Sequence, residues 1–219
     1  PNSGKILVEN FSDPVLAMEE WEQDTWDLLP DGEEEVLGQT GVPQVFGENG
    51  YDSYARRWIR PTIEVNGIGG GYQGEGSKTV IPKEALVKLS CRLVPNQDPL
   101  TVIDQVSSHL REHCPDGVKL DIIPGHHGKP YVMDPQAGYG KAAQAALTSV
   151  FSEEPRLIRE GGSIPIIESF QRQLGVDTLM LGLALPDCMA HAPNENFPVA
   201  NFLAGIELNQ ALLEEIAAV

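Results

Sequence analysis

Five histidines are distributed through the 219-residue chain, and their surroundings decide which of them could do chemistry. His109 and His113 stand in "HLREH", the spacing that sets two imidazoles one helical turn apart with a glutamate between them, as in a helical zinc motif. The pattern is short and no third ligand can be identified, so an ordinary surface helix is the simpler reading. His126 and His127 stand in "PGHHGKP", a turn bounded by Gly and Pro, where adjacent side chains point apart and do not converge on one ion. His191 is differently placed. It lies in "LPDCMAHAPNENFPV", a Pro-rich corner between the apolar run "DTLMLGLAL" and a strongly apolar helical stretch.

Two glycine-bearing stretches are further candidates. In "REGGSIP" (159–165) an apolar run ends at two glycines, and Ser163 opens the next helix with Pro in its first turn. Free backbone N–H groups there would suit an anion or an oxyanion, and equally a well-capped helix start. Ligands of open α/β sheets gather beyond the carboxyl ends of strands, so Ser163 and His191 are expected near each other. The segment "GIGGGYQGEGSKT" (67–79) is not a phosphate loop. Its Lys does not directly follow the last loop glycine, and a strand rather than a helix comes next.

The elements that must carry these residues fall into two styles. Residues 4–11 read as a short strand, and 13–29 and 31–41 as acidic helices opened by Asp, the second closed by Gly. From Trp58 the period is two: 58–68 and 81–95 read as strands. In the second strand Ala85, Val87, Leu89, Cys91 and Leu93 share one face, and Lys88, Ser90 and Arg92 the other. Residues 98–114 form an amphipathic helix with Asp98 as N-cap and Leu100, Ile103, Val106 and Leu110 inward, followed by a strand at 117–125. This predicts an α+β domain, an antiparallel sheet with helices on one face. Beyond Met133 the pattern becomes helix (136–151), strand (155–160), helix (163–175), buried strand (176–185) and helix (198–219). That is an α/β alternation with too few strands to close a sheet by itself.

Composition narrows the function. With 41% hydrophobic residues the chain can build a core, and its formal charge of -17 disfavours nucleic acid and anionic membrane as partners. Cys91, Cys114 and Cys188 are odd in number and lack a CxxC spacing, which suits reduced thiols in a cytoplasmic protein. No signal peptide or membrane-spanning run is visible. The chain opens at Pro1 in mid-pattern, which leads us to expect a piece of a longer polypeptide.

Together, "RPTIEVNGIGGGYQGEGSKTVIPKEALVKLSCRLVPNQDP", "REGGSIP" and "AHAPNE" resemble, in order and separation, the carnosinase and aminoacylase family of dinuclear zinc peptidases, and most nearly its carnosinase-like dipeptidase branch. The resemblance covers roughly residues 58 to 205. It implies a lid or dimerisation domain over 1–133, its start missing, followed by a partial α/β segment of the catalytic domain over 134–219. By the same resemblance His191 would be a metal ligand. Arg92 would hold the substrate's C-terminal carboxylate, Thr79 would add a hydrogen bond, and Gly162 and Ser163 would bind substrate in the catalytic domain. The implied reaction is hydrolysis of a dipeptide by two zinc ions, or manganese, with a glutamate base.

Relatives often carry acidic or amide residues just before the ligand His, where this chain has Cys188 and Met189. The family's other metal ligands, its general base and the "HSG" segment precede the lid and are expected outside these residues. The chain alone would then be inactive and hold no metal stably. A homodimer through the lid and a peptide substrate are the expected partners. A separate, non-catalytic dimerisation module is the alternative, and a true zinc site at "HLREH" in an unrelated hydrolase a weaker third.

Overall fold

The computed structural model describes residues 3–160 and 164–219. Among these residues it has seven helices and one two-stranded sheet. Helix α1 (Glu20–Trp26) opens with a reciprocal capping box between Glu19 and Glu22. It is shorter than the helix expected over 13–29: residues 15–19 are irregular, and Met18 among them packs on an aromatic cluster. Helix α2 (Gly32–Thr40) begins and ends as its sequence dictates. The Asp31 carboxylate accepts from the Glu33 and Glu34 amides, and Gly41 closes the helix at φ 68°.

Helix α3 (Ser53–Trp58), which the sequence pattern does not announce, brings Tyr54, Ala55 and Trp58 into a core with Trp26 and Ile59. Tyr54 stacks on Trp58 at 4.6 Å, and Trp26 meets Trp58 edge-on at 4.9 Å. This cluster is the firmest packing in the first half of the chain.

Strands β1 (Thr62–Gly70) and β2 (Ala85–Arg92) pair antiparallel, from Thr62↔Arg92 to Gly70↔Ala85. Asn66 is the extra residue of a bulge between Val65 and Gly67. It keeps the apolar phase: Ile63, Val65 and Ile68 face Cys91, Leu89 and Val87 in turn. Were Asn66 paired in register instead of bulged out, Ile68 would fall on the polar face with Glu64. Helix α4 (Pro99–Glu112) starts on the Asp98 cap, but it does not cover this sheet as expected. Val102, Pro99 and Ser107 are its buried residues, while Leu100 is 58% exposed. The apolar hairpin face stays open, with Val65 57% and Val87 52% exposed.

In the second half α5 (Gly138–Phe151) packs against α7 (Val199–Ala217). Small residues line the α5 side, where Ala142, Ala143 and Ala146 are buried, while Gly205 of α7 lies against Leu183. Between them in sequence comes α6 (Pro165–Leu174). The strands expected at 4–11, 117–125, 155–160 and 176–185 are not strands, and 176–185 is not buried. A strand exists only through a hydrogen-bonded neighbour, and no described residue supplies one to these segments. They remain irregular and are held from the side. Tyr131 and Asn201 grip 176–185, where the Thr178 amide donates to the Tyr131 hydroxyl at 2.8 Å and Asn201 donates to the Leu183 carbonyl at 2.7 Å. Trp26 donates to the Leu157 carbonyl at 3.0 Å.

Candidate functional site

The corner around His191 is ordered by a succession of tight turns. The Cys188 amide donates to Leu185, the Ala192 amide to Met189, and the Asn196 amide returns to the Cys188 carbonyl at 2.9 Å. The Asn196 side chain adds bonds to the Asp187 and Asn194 carbonyls. From outside, Gln39 of α2 donates to the Pro186 carbonyl at 3.1 Å, joining the acidic helix to the corner.

At the apex His191 is exposed and holds φ 61°, with Met189 at 55° and Asn194 at 66°. Left-handed backbone at a residue bearing a Cβ costs on the order of 1–2 kcal/mol and persists where the surroundings impose it. The imidazole is thus presented to solvent by a strained, stapled loop. Beside it lies a cavity of about 420 Å³ lined by Ala184, Cys188, Ala190, Glu195, Asn196 and Phe197. Cys188 therefore occupies the cavity wall, as its place just before His191 suggests.

Arg92 ends β2 on the polar face anticipated for it. It stands opposite Thr62, next to the Glu64↔Ser90 pair, whose side chains lie 3.4 Å apart. The Thr62 hydroxyl also donates to the Glu64 carboxylate. On the reverse face burial, and then the Glu64 charge, push the Cys91 thiol up from its ordinary pKa. Thr79 lies in the exposed connection that precedes β2. The structure thus sets Thr79 ahead of β2 and Arg92 at its far end.

Gly162 and Ser163, and with them the expected approach of Ser163 to His191, lie outside the described residues. Their flanks are described. Helix α6 begins at Pro165 with Ile164 as N-cap. Ahead of the glycines, the Arg159 guanidinium binds the Glu22 carboxylate.

His126 and His127 are exposed in an irregular segment. His109 and His113 stack near the end of α4 with ring centroids 4.1 Å apart. All three cysteines are free. Among the described residues no group of three or more His, Cys, Asp or Glu side chains could hold a metal ion, so His191 supplies one donor and no complete site. No helix among them is long and apolar enough to cross a membrane.

Pattern reasoning missed three residues that organise this region. Tyr131 is 4% exposed and anchors the segment leading toward the corner; its phenol is pushed up chiefly by burial. Asn196 staples the corner and Glu22 holds Arg159. Only Asn196 carried a local signal, the Asn-rich "PNEN" turn.

The antiparallel hairpin and the helix that starts on Asp98 lie in the first half of the chain, and the histidine corner lies in the second. Residues 16–118 match the family model described as the peptidase dimerisation domain. Nearly the whole chain aligns with metallodipeptidases. The Cys-Gly metallodipeptidase of Candida albicans is 34% identical over 93% of this chain and 42% of that protein. The human Beta-Ala-His dipeptidase is 29% identical over 99% of this chain and 43% of that one.

Solved structures agree. The human carnosine dipeptidase 1 structure superposes with a TM-score of 0.81 at 28% identity, over 100% of this chain and 47% of that one. A metallo-carboxypeptidase from Sulfolobus solfataricus gives 0.83 at 27%, over 99% and 49%. The chain is thus similar along nearly its whole length to metallodipeptidases, and its residues 16–118 match the peptidase dimerisation domain. It spans less than half the length of the curated relatives it matches.

Proposed function

We propose that the chain is the C-terminal portion of a metal-dependent dipeptidase that hydrolyses dipeptides, or related amides, with a free C-terminal carboxylate. Residues 1–133 form its lid and dimerisation domain, and 134–219 return into its catalytic domain. The observation that carries this reading is coverage: the chain aligns end to end with metallodipeptidases, yet fills less than half of each.

In this reading Arg92 receives the substrate carboxylate on its planar, bidentate guanidinium. Thr79 hydrogen-bonds the substrate, and Gly162 and Ser163 bind it in the catalytic half. His191 contributes one imidazole to a two-metal centre of zinc, or of manganese, whose other ligands and general base lie outside these residues. Divalent metal, when bound, supplies the polarisation and acidity that amide hydrolysis demands. The strained, stapled corner pre-sets that imidazole, and Cys188 tunes its surroundings. The protein pairs as a homodimer through the lid, and a cytoplasmic location fits its free thiols.

With Zn2+ or Mn2+ added, the chain alone is expected not to hydrolyse Cys-Gly or β-Ala-His. A longer protein that includes the preceding coding sequence is expected to be active and to lose activity with His191→Ala. Turnover by the chain alone, or an active His191→Ala protein, overturns the reading. The match confined to residues 16–118 favours a second reading, a non-catalytic dimerisation module. It predicts a stable dimer and no active longer form.

A further inference from the structure

We propose that His109 and His113 form a surface site for a borderline divalent transition-metal ion at the C-terminal end of α4, separate from His191 and independent of the peptidase reading. Residues four apart on a helix are neighbours on one face, with Cβ atoms roughly 5–6 Å apart. Here the two rings lie 4.1 Å apart, centroid to centroid, at 29°. His113 is exposed and His109 half-buried, and a turn of the His109 ring about its Cβ–Cγ bond would bring both toward one ion.

The hydrogen bonding already favours a ligand state. His113 Nδ1 lies 2.9 Å from the His109 carbonyl oxygen. A carbonyl only accepts, so the proton of the neutral ring sits on Nδ1 and the lone pair on Nε2 is directed away from the helix. A metal-bound histidine is held in the same way, its second nitrogen donating to a carbonyl or carboxylate.

Electrostatics adds to this. The pair occupies the last turn of α4 and its C-cap, where the helix dipole presents its negative end. Glu112 stands three residues after His109 on the same side, whereas Arg111 is two from each histidine and projects elsewhere. The chain as a whole is strongly acidic, at -17.

Imidazole donors select Zn2+, Ni2+ or Cu2+ over Mg2+ and Ca2+. With no group of three ligands among the described residues, solvent completes the sphere and the ion exchanges readily. Metal found with this chain would then report α4 rather than His191.

Isothermal titration of the whole chain with NiCl2, ZnCl2 and CuCl2 tests the assignment. One ion per chain is expected. His109→Ala and His113→Ala should each weaken binding at least about tenfold, since each removes one of two protein ligands. The double variant His126→Ala/His127→Ala and the single variant His191→Ala should bind as the parent does. The Cu2+ electron paramagnetic resonance spectrum should show two nitrogen donors, falling to one in His113→Gln, a change at an exposed position that spares the fold. Absence of binding by all three ions, unchanged binding in His113→Ala, or loss in His191→Ala overturns the proposal.

Discussion

Glu22 and Arg159, 137 positions apart, form a buried ion pair that fastens helix α1 to the segment leading into Gly161 and Gly162. Glu22 is 1% exposed; both of its oxygens meet the guanidinium, with Arg159 Nη2 at 2.7 Å from Oε2. The same Oε2 accepts from the Glu19 amide at 2.8 Å, so one carboxylate caps α1 and holds Arg159. One turn later Trp26 donates to the Leu157 carbonyl. The latch therefore joins the dimerisation region to the flank of the expected substrate loop.

Breaking such a pair from one side is worse than removing it whole. Arg159→Ala leaves an uncompensated carboxylate in the interior and should cost roughly 3–5 kcal/mol. Glu22→Gln keeps an acceptor for the cap, and the double variant Glu22→Gln/Arg159→Met should recover most of the loss. Urea midpoints of the three variants check the order. A double variant as weak as Arg159→Ala would show that the pair itself, and not the stranded charge, carries the stability.

The Asp98 cap predicts a pH dependence. Its carboxylate accepts from Thr101 and Leu100, and the Thr101 amide first among several causes holds it below its ordinary value of 3.8. A carboxyl depressed in the folded state contributes stability that is complete above the unfolded value and lost as pH falls through the folded one. Asp98→Asn keeps a capping oxygen but cannot titrate. Melting temperatures of the two proteins should therefore converge as pH is lowered below 3.8, with the parent falling more steeply. Parallel curves would count against the cap as the source.

How much of this was legible follows from how local each signal is. Asp31, Gly41 and Asp98 mark helix ends within one turn, and the alternation of β2 sets Arg92 on the polar face by counting alone. Helix α3 is only six residues long, too short for a period to declare itself, though it carries Trp58 into the core. Residues 155–160 and 176–185 have strand composition, but strand is a relation between two segments, and composition cannot supply the second. The N-cap of α6 is Ile164, whose side chain has no acceptor that could announce it. At the site, the turn residues around His191 were readable and its left-handed backbone was not. Glu22 and Arg159 gave no sign of each other, because nothing in either neighbourhood encodes a contact 137 residues away.

The bulge at Asn66 makes a prediction about register. Val65 pairs with Leu89, Gly67 with Lys88 and Ile68 with Val87, so Asn66 alone lacks an opposite residue. Deleting it should leave these pairs in place and flatten the local twist. Cross-strand nuclear Overhauser effects between Ile68 and Val87 should persist. A slip that pairs Ile68 with Leu86 would turn Ile68 to the polar face and refute this account of the bulge.

The final prediction concerns the backbone of His191. At φ 61° any Cβ is disfavoured, and β-branched side chains most of all. His191→Gly removes a conformational cost of about 1–2 kcal/mol in the folded loop, while the freer unfolded chain takes back roughly 0.4–1 kcal/mol. The variant should be as stable as the parent or slightly more so. Asn adopts the left-handed region readily, so His191→Asn should be near neutral, and His191→Val should lose stability beyond either. Denaturant midpoints of the chain without added metal give the order. Gly and Asn at or above His, with Val lowest, means that the corner, stapled by Asn196, holds the imidazole against its own preference for the sake of what the imidazole meets. Loss of stability in His191→Gly would mean instead that the ring earns its place through packing, and the strained backbone would no longer argue for a ligand.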